Sequence, residues 1–227
     1  MAIIDRNTVK SDNQLGKSPN VTFEYSENKG KRIMFVGNSI TRHGPKPDIG
    51  WENDWGMAAS SKENDYVHRT IASVLNTTPD ASFCICQAAV WEQNYKNGEE
   101  KFHLYAPASD FEADIIVFRL IENCPRSDFD EQIFYNEYSK LISFFNKHMK
   151  AKIIITSGFW KHPGDAMLQK FAEDNNFDFI YLGDLGEQQI MRADGLFSHT
   201  GVAAHPGDLG MENISNRIYD KIEKYLG

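Results

Sequence analysis

Short β-branched or apolar runs alternate along this chain with longer stretches whose apolar residues recur every three or four positions. Runs at Arg32 to Val36, Ser82 to Cys86, Asp114 to Leu120, Lys152 to Thr156 and Phe177 to Leu182 have the length and composition of buried strands. Between them, Val67, Ile71, Val74 and Leu75, then Phe134, Tyr138, Leu141, Ile142 and Phe145, then Met167, Leu168, Phe171 and Ala172 fall at helical spacing. The last helix has the plainest pattern, with Met211, Ile214, Ile218, Ile222 and Tyr225 separated by charged residues. Strands that alternate with helices predict a parallel sheet covered on both faces through right-handed crossovers. The expected fold class is α/β, a three-layer α/β/α sandwich of about five parallel strands.

Two segments depart from that rhythm. Up to Lys31 the chain is polar apart from Val21-Thr22-Phe23-Glu24-Tyr25, so residues 1–31 read as an N-terminal arm or edge piece and 32–227 as a single domain. No linker or internal repeat argues for a second domain. A long insertion, Arg42 to Lys62, separates the first strand from the first helix and carries Trp51 and Trp55. Loops of that length in compact domains are functional or disordered, and tryptophans oppose disorder. The loop is expected to lie over the carboxyl edge of the sheet as a wall of a substrate site. Trp51 and Trp55, with Trp91 after the second strand, would either stack on a sugar ring or pin their segments to the domain.

Composition narrows the class. The chain has 227 residues, 41% hydrophobic and 25% charged, which is ordinary globular usage and argues against a disordered or membrane-embedded protein. A net charge of -8 disfavours a nucleic-acid surface, which needs clustered Lys and Arg. Cys84, Cys86 and Cys124 sit in or beside apolar runs and read as buried thiols. The first residues, Met1 to Arg6, lack a signal-peptide pattern, so cytoplasmic residence is the default, although a removed leader would leave the same sequence.

The chemistry begins at Gly37-Asn38-Ser39-Ile40-Thr41, where the first strand stops in a hydroxyl. Open α/β sheets bind ligands at the carboxyl edge of their strands, and a turn there also leaves backbone N–H groups unpaired for a developing oxyanion. His205-Pro206-Gly207-Asp208 near the other end supplies an imidazole to accept the serine proton. His199, His205, Asp194 and Asp208 lie near one another, but without tight ligand spacing no metal is expected. A nucleotide or flavin binder would need a Gly-rich phosphate loop after the first strand, and none is present; no cofactor is expected.

Three blocks, Gly37-Asn38-Ser39, Ile121-Glu122-Asn123 and His205-Pro206, come in the order and at the elements that resemble the SGNH hydrolases, the GDSL-like esterases and lipases. The resemblance spans nearly the whole chain and implies a flavodoxin-like strand order. It also implies Ser39 as nucleophile, His205 as general base and then acid, and Asn123 as an oxyanion donor beside the Ser39 N–H. Asn38 would join Trp51, Trp55 and Trp91 in contacting substrate.

The chain departs from the family pattern at three places. Val202 stands where the family carries the aspartate that orients the histidine, so the third member is either a backbone carbonyl in the Thr200 to Ala204 turn or a carboxylate from elsewhere. Asp194, Glu122, Glu92 and Asp208 are candidates, although Asp208 is also placed to cap the last helix. Gln87-Ala88-Ala89 replaces the family's oxyanion glycine, and the N–H of Ala88 or Ala89 could serve. Ile121 replaces the glycine of the Asn123 block.

The expected function is a serine esterase that cleaves a small ester through an acyl-enzyme, leaning toward an acetyl group on a carbohydrate. The alternatives are an acyltransferase and a non-catalytic carbohydrate-binding member of the same fold. The expected partner is a small-molecule ester or acylated carbohydrate, with neither nucleic acid nor membrane.

Overall fold

Parallel neighbours in a sheet need a crossover, and here each apolar strand is followed by a segment that returns along one face of the sheet. The computed structural model describes residues 19–28 and 30–227; the first residues of the expected arm, and the Met1 to Arg6 segment, lie outside the described residues. The strands are β1 (Val21–Glu24), β2 (Arg32–Gly37), β3 (Ser82–Gln87), β4 (Ile115–Arg119), β5 (Lys152–Thr156) and β6 (Asp178–Ile180). They form one six-stranded sheet in the order β1-β3-β2-β4-β5-β6. β2 to β6 are parallel, while β1 pairs antiparallel with the edge of β3. Without β1 the order is the flavodoxin-like one. The alternating segment Val21 to Tyr25 thus supplies an edge strand.

Successive side chains of a strand point to opposite faces, so each strand feeds two cores. Met34, Val36, Cys84, Cys86, Ile116, Phe118, Ile153 and Ile155 face one side. There they meet α2 (Ala89–Gln93), α4 (Glu131–Phe145) and α5 (Asp165–Asp174) through Trp91, Tyr138 and Phe171; the short α3 (Ala106–Ser109) flanks them. Ile33, Phe35, Phe83, Ile85, Val117 and Ile154 face the other side, against α1 (Tyr66–Thr77) and α8 (Asp208–Ile222). The short helices α6 (Gly183–Gly186) and α7 (Thr200–Ala203) precede α8. Asp65 and Asp130 cap α1 and α4 by accepting from the backbone N–H groups of His68 and Ile133. Among the described residues, no helix is long and apolar enough to cross a membrane.

A third, smaller core anchors the Arg42 to Lys62 loop. Trp51, Met57 and Ala58 pack there on Ala193 and Val202, with Phe197 alongside. The loop is pinned from its backbone as well, since Met57 N donates to Ser39 O at 2.9 Å. Gly56 has to be glycine, because a Cβ there would lie 2.6 Å from Ile40 O.

Candidate active site

Strand register decides which loops meet. Gly37 of β2 is level with Gln87 of β3 and with Arg119 of β4, so the chain leaves the sheet at one edge in three adjacent places. Ser39 is thereby brought beside the Ala88-Ala89 turn and the Ile121-Glu122-Asn123 block. Gly37 permits the tight exit, for a Cβ would fall 1.8 Å from Thr41 Oγ1. His205 arrives from the far end of the chain on the α7–α8 connection, held by Ala193 N donating to His205 O at 2.9 Å and by a bridge between Arg192 and Pro206.

Ser39 Oγ lies 2.8 Å from His205 Nε2, and His205 Nδ1 lies 2.7 Å from Gly201 O. A carbonyl can only accept, so Nδ1 carries the proton and Nε2 presents its lone pair to the serine hydroxyl. Burial, assisted by the charge of Arg119, pushes the His205 pKa down to about 4, partly opposed by the bond to Gly201 O. The imidazole is neutral at pH 7 and ready to accept a proton.

Behind Ser39 lies a buried ionic network. Arg119, at 0% exposure, pairs with Glu122 and donates to Asn38 Oδ1. Asn38 Nδ2 donates to Glu122 Oε2 at 2.7 Å and to Glu92 Oε1 at 3.1 Å. Glu92 Oε1 also accepts from Ile121 N at 2.5 Å, and its Oε2 accepts from Asn123 Nδ2 at 2.6 Å. One guanidinium thus serves two carboxylates. Burial and the neighbouring Glu122 charge raise the Glu92 pKa, whereas Arg119 overcomes burial to hold Glu122 below the ordinary carboxylate value.

Several sequence expectations are corrected. None of the four candidate acids orients His205. Asp194 is paired with Arg192, Asp208 accepts from Ser60 N and Oγ, and Glu92 and Glu122 belong to the network under the site. Nor does Asp208 cap the last helix: it is the first residue of α8, and Gly207 is the N-cap. Ala88 N–H donates to Gly37 O at 2.6 Å, so it is not a free donor. Among the described residues, the N–H groups of Ser39 and Ala89 have no hydrogen-bond partner. Asn38 is 1% exposed with its amide fully engaged, which removes it from substrate contact.

The aromatic expectation changes in the same way. Trp91 is 0% exposed and packs on Phe134 and Tyr138 in the core. Trp51 is 1% exposed, with Nε1 donating to His43 O, so it pins the loop. Trp55 is half-buried, edge-on to Trp51, with Nε1 on Ala59 O. The indole that lies against the Ser39–His205 pair is instead Trp160, whose ring lies 5.1 Å from that of His205 and whose Nε1 donates to Ala204 O. Its signal was its place, just past the carboxyl end of β5 in Gly158-Phe159-Trp160. For Arg119 the signal was a lone guanidinium closing an apolar strand.

Among the described residues, no group of three His, Cys, Asp or Glu side chains could hold a metal ion. All three cysteines are buried thiols.

No protein-family model matches the sequence, and no curated protein is significantly similar to it. Solved structures do share its fold. The psychrotrophic esterase EstA from Pseudoalteromonas sp., solved with monoethylphosphonate as inhibitor, superposes with a TM-score of 0.55 at 14% identity over 86% of this chain and 98% of its own. A two-domain esterase active on acetylated mannans gives 0.56 at 15% identity over 87% of this chain and 49% of its own. A salicylyl-acyltransferase from a tetracycline biosynthetic pathway gives 0.51 at 16% identity over 90% of this chain and 58% of its own. The chain therefore spans nearly all of the first and about half of the second.

Proposed function

We propose that this protein is a serine esterase of SGNH type. The observation that carries the reading is the Ser39–His205 contact at 2.8 Å, with the far ring nitrogen anchored on Gly201 O. Ser39 attacks the ester carbonyl as His205 Nε2 takes its proton. The tetrahedral oxyanion is met by the free N–H groups of Ser39 and Ala89 and by the second amide hydrogen of Asn123. His205 then protonates the departing alcohol, leaving an acyl-enzyme that water, activated by the same imidazole, hydrolyses. The Gly201 carbonyl, a dipole in place of a carboxylate, holds the tautomer and leaves the stabilisation of the imidazolium weaker than in a triad.

The fold's occurrence in an esterase active on acetylated mannans supports a short acyl group, acetyl foremost, on a carbohydrate. Transfer to another alcohol proceeds through the same acyl-enzyme, and the shared fold of a salicylyl-acyltransferase favours keeping it as the second reading. The non-catalytic binder loses part of its motive, since Trp51 and Trp91 are buried away from any sugar, while the missing orienting aspartate still speaks for it.

The test is hydrolysis of a short-chain aryl acetate by the wild type and by Ser39→Ala, His205→Ala and Asn123→Ala, each checked for folding, with and without an added alcohol. Wild-type turnover that disappears in Ser39→Ala and drops on the order of a hundred- to a thousand-fold in Asn123→Ala supports the reading. An inert wild type, or unchanged turnover in Ser39→Ala, overturns it. Ester exchange onto the alcohol in preference to hydrolysis would select the transferase.

A further inference from the structure

Glu92 is completely buried, one helical turn after Ala89 in α2, and is hydrogen-bonded to neither Ser39 nor His205. Its carboxylate receives three bonds, all from groups that can only donate: Ile121 N, Asn38 Nδ2 and Asn123 Nδ2. The Ile121 N–H is backbone and cannot turn. The Asn38 amide is also locked, because its Oδ1 already accepts from Arg119 and from Ile40 N. Only the Asn123 amide is free to rotate, and its half-buried side chain has Glu92 as its hydrogen-bond partner.

We infer that Glu92 is the positioning residue of the oxyanion site: its ionised carboxylate holds the Asn123 amide with Nδ2, not Oδ1, turned toward the reacting centre. This rests on the esterase reading above. An Asn amide presents either two donors or a bare oxygen to a given side, and nothing in Asn123 itself chooses between them. A carboxylate that accepts one Nδ2 hydrogen chooses, and it leaves the second for the oxyanion. Placing a proton on Glu92 puts an O–H against three donors. The one partner able to relieve that clash is Asn123, by turning Oδ1 inward, and the oxyanion then meets a lone pair instead of a donor.

Glu92 also ties the three parts of the site together. It bonds Asn38 next to the nucleophile, Ile121 at the end of β4 and Asn123, while its own helix begins at Ala89. The charged and titratable groups that face it are Glu122 and Arg119 at the end of β4, Cys124 beyond them, Tyr105 before α3 and Tyr138 of α4. Arg119 is the one cation among them, and it is shared with Glu122. The Glu92 proton is therefore lost only near neutrality, at about 7, with burial as the main cause and Glu122 as the second.

The decisive variant is Glu92→Gln, nearly isosteric but with an amide whose own N–H₂ must face a donor. Expected is a loss in kcat of about a hundredfold with KM unchanged, the cost of one oxyanion donor. Asn123→Ala added to Glu92→Gln should then cost little more, because both remove the same interaction. The wild-type kcat/KM against pH should show an upper limb near 7 that is missing from Glu92→Gln, with a lower limb near 4 in both. Wild-type kcat in Glu92→Gln, or losses that multiply in the double variant, overturns the assignment of Glu92 alone, provided that Ser39→Ala is dead. Activity that survives Ser39→Ala overturns the esterase reading beneath it. If Glu92→Gln does not fold, the wild-type profile decides: two limbs uphold the inference, and a single limb near 4 refutes it.

Discussion

The Nδ1 atom of His205 lies 2.7 Å from the carbonyl oxygen of Gly201, four residues earlier in the chain. This ring nitrogen is thus held by a backbone dipole of α7, and among the described residues no side-chain carboxylate is hydrogen-bonded to it. Asp194→Asn and Asp208→Asn should accordingly keep turnover within about tenfold of wild type, against the ~10⁴ loss that follows when a triad loses its acid. Steady-state kinetics on an aryl acetate check this, and a loss near 10⁴ at either position would restore it as a third member.

Val202 occupies the position at which a carboxylate was expected, and it is 0% exposed, packed with Trp51, Met57 and Ala58. That position is committed to holding the long loop. Val202→Asp should lower stability by several kcal/mol, since it buries an unpaired charge, without raising kcat. Urea denaturation beside kinetics tests both halves, and a gain in rate would contradict the account.

Burial holds the His205 pKa at about 4, so the imidazole remains a competent base well below its ordinary range. Protonation removes the lone pair that accepts the Ser39 proton, so the activity that remains below the Glu92 step is lost as pH falls through this value. The last loss of kcat/KM on acidification should centre near pH 4, not near 6.5. A final limb at the ordinary imidazole value would mean that the ring is better solvated than described.

Trp51 and Trp160 should separate stability from activity. Trp51→Ala empties a buried site and should cost about 3–5 kcal/mol of folding stability. Trp160→Ala, half-exposed beside His205, should lower kcat/KM with a smaller change in melting temperature. Thermal denaturation and kinetics on the two variants would show the reverse order if Trp51 were the substrate platform.

Away from the site, His68 joins α1 to the edge strand β1, lying between buried Asp65 and Glu24. Burial alone would lower its pKa, but the hydrogen bond to Asp65 and the Glu24 carboxylate 3.3 Å from Nε2 outweigh burial and raise it to about 9. A folded-state pKa above the unfolded value stabilises below about 6.5, and that contribution is lost as pH rises through about 9. The wild type should therefore lose melting temperature between these values relative to His68→Gln, which has no proton to lose. Parallel curves for the two proteins would refute the linkage.

Much of this architecture was written in periodicity. The runs around Ile33, Phe83, Ile116, Ile154 and Phe179 became parallel strands because a β-branched run buried on both faces has few other stable uses. The helix beginning at Asp208 followed from apolar residues three and four apart, which can only line one face of a helix. Ser39, Asn123 and His205 could be nominated because their residue types and the strand ends that carry them are local properties of the chain. Their mutual placement was not. The contact of Ser39 with His205 spans 166 residues and exists only because the sheet register and the α7–α8 connection deliver both to one edge. A carbonyl of the Thr200 to Ala204 turn was one of the two partners expected for His205, but which one could not be read from sequence, since every residue has one; the structure has Gly201 O. The roles of Trp91, Trp51 and Asn38 turned on burial, which is decided by what packs around a side chain and not by its identity. Glu92 and Arg119 were joined through Asn38 only when β3 and β4 flanked β2. Sequence determined which elements form and which groups were candidates; tertiary structure decided which donors remain free, because hydrogen-bond satisfaction is settled between segments distant in the chain.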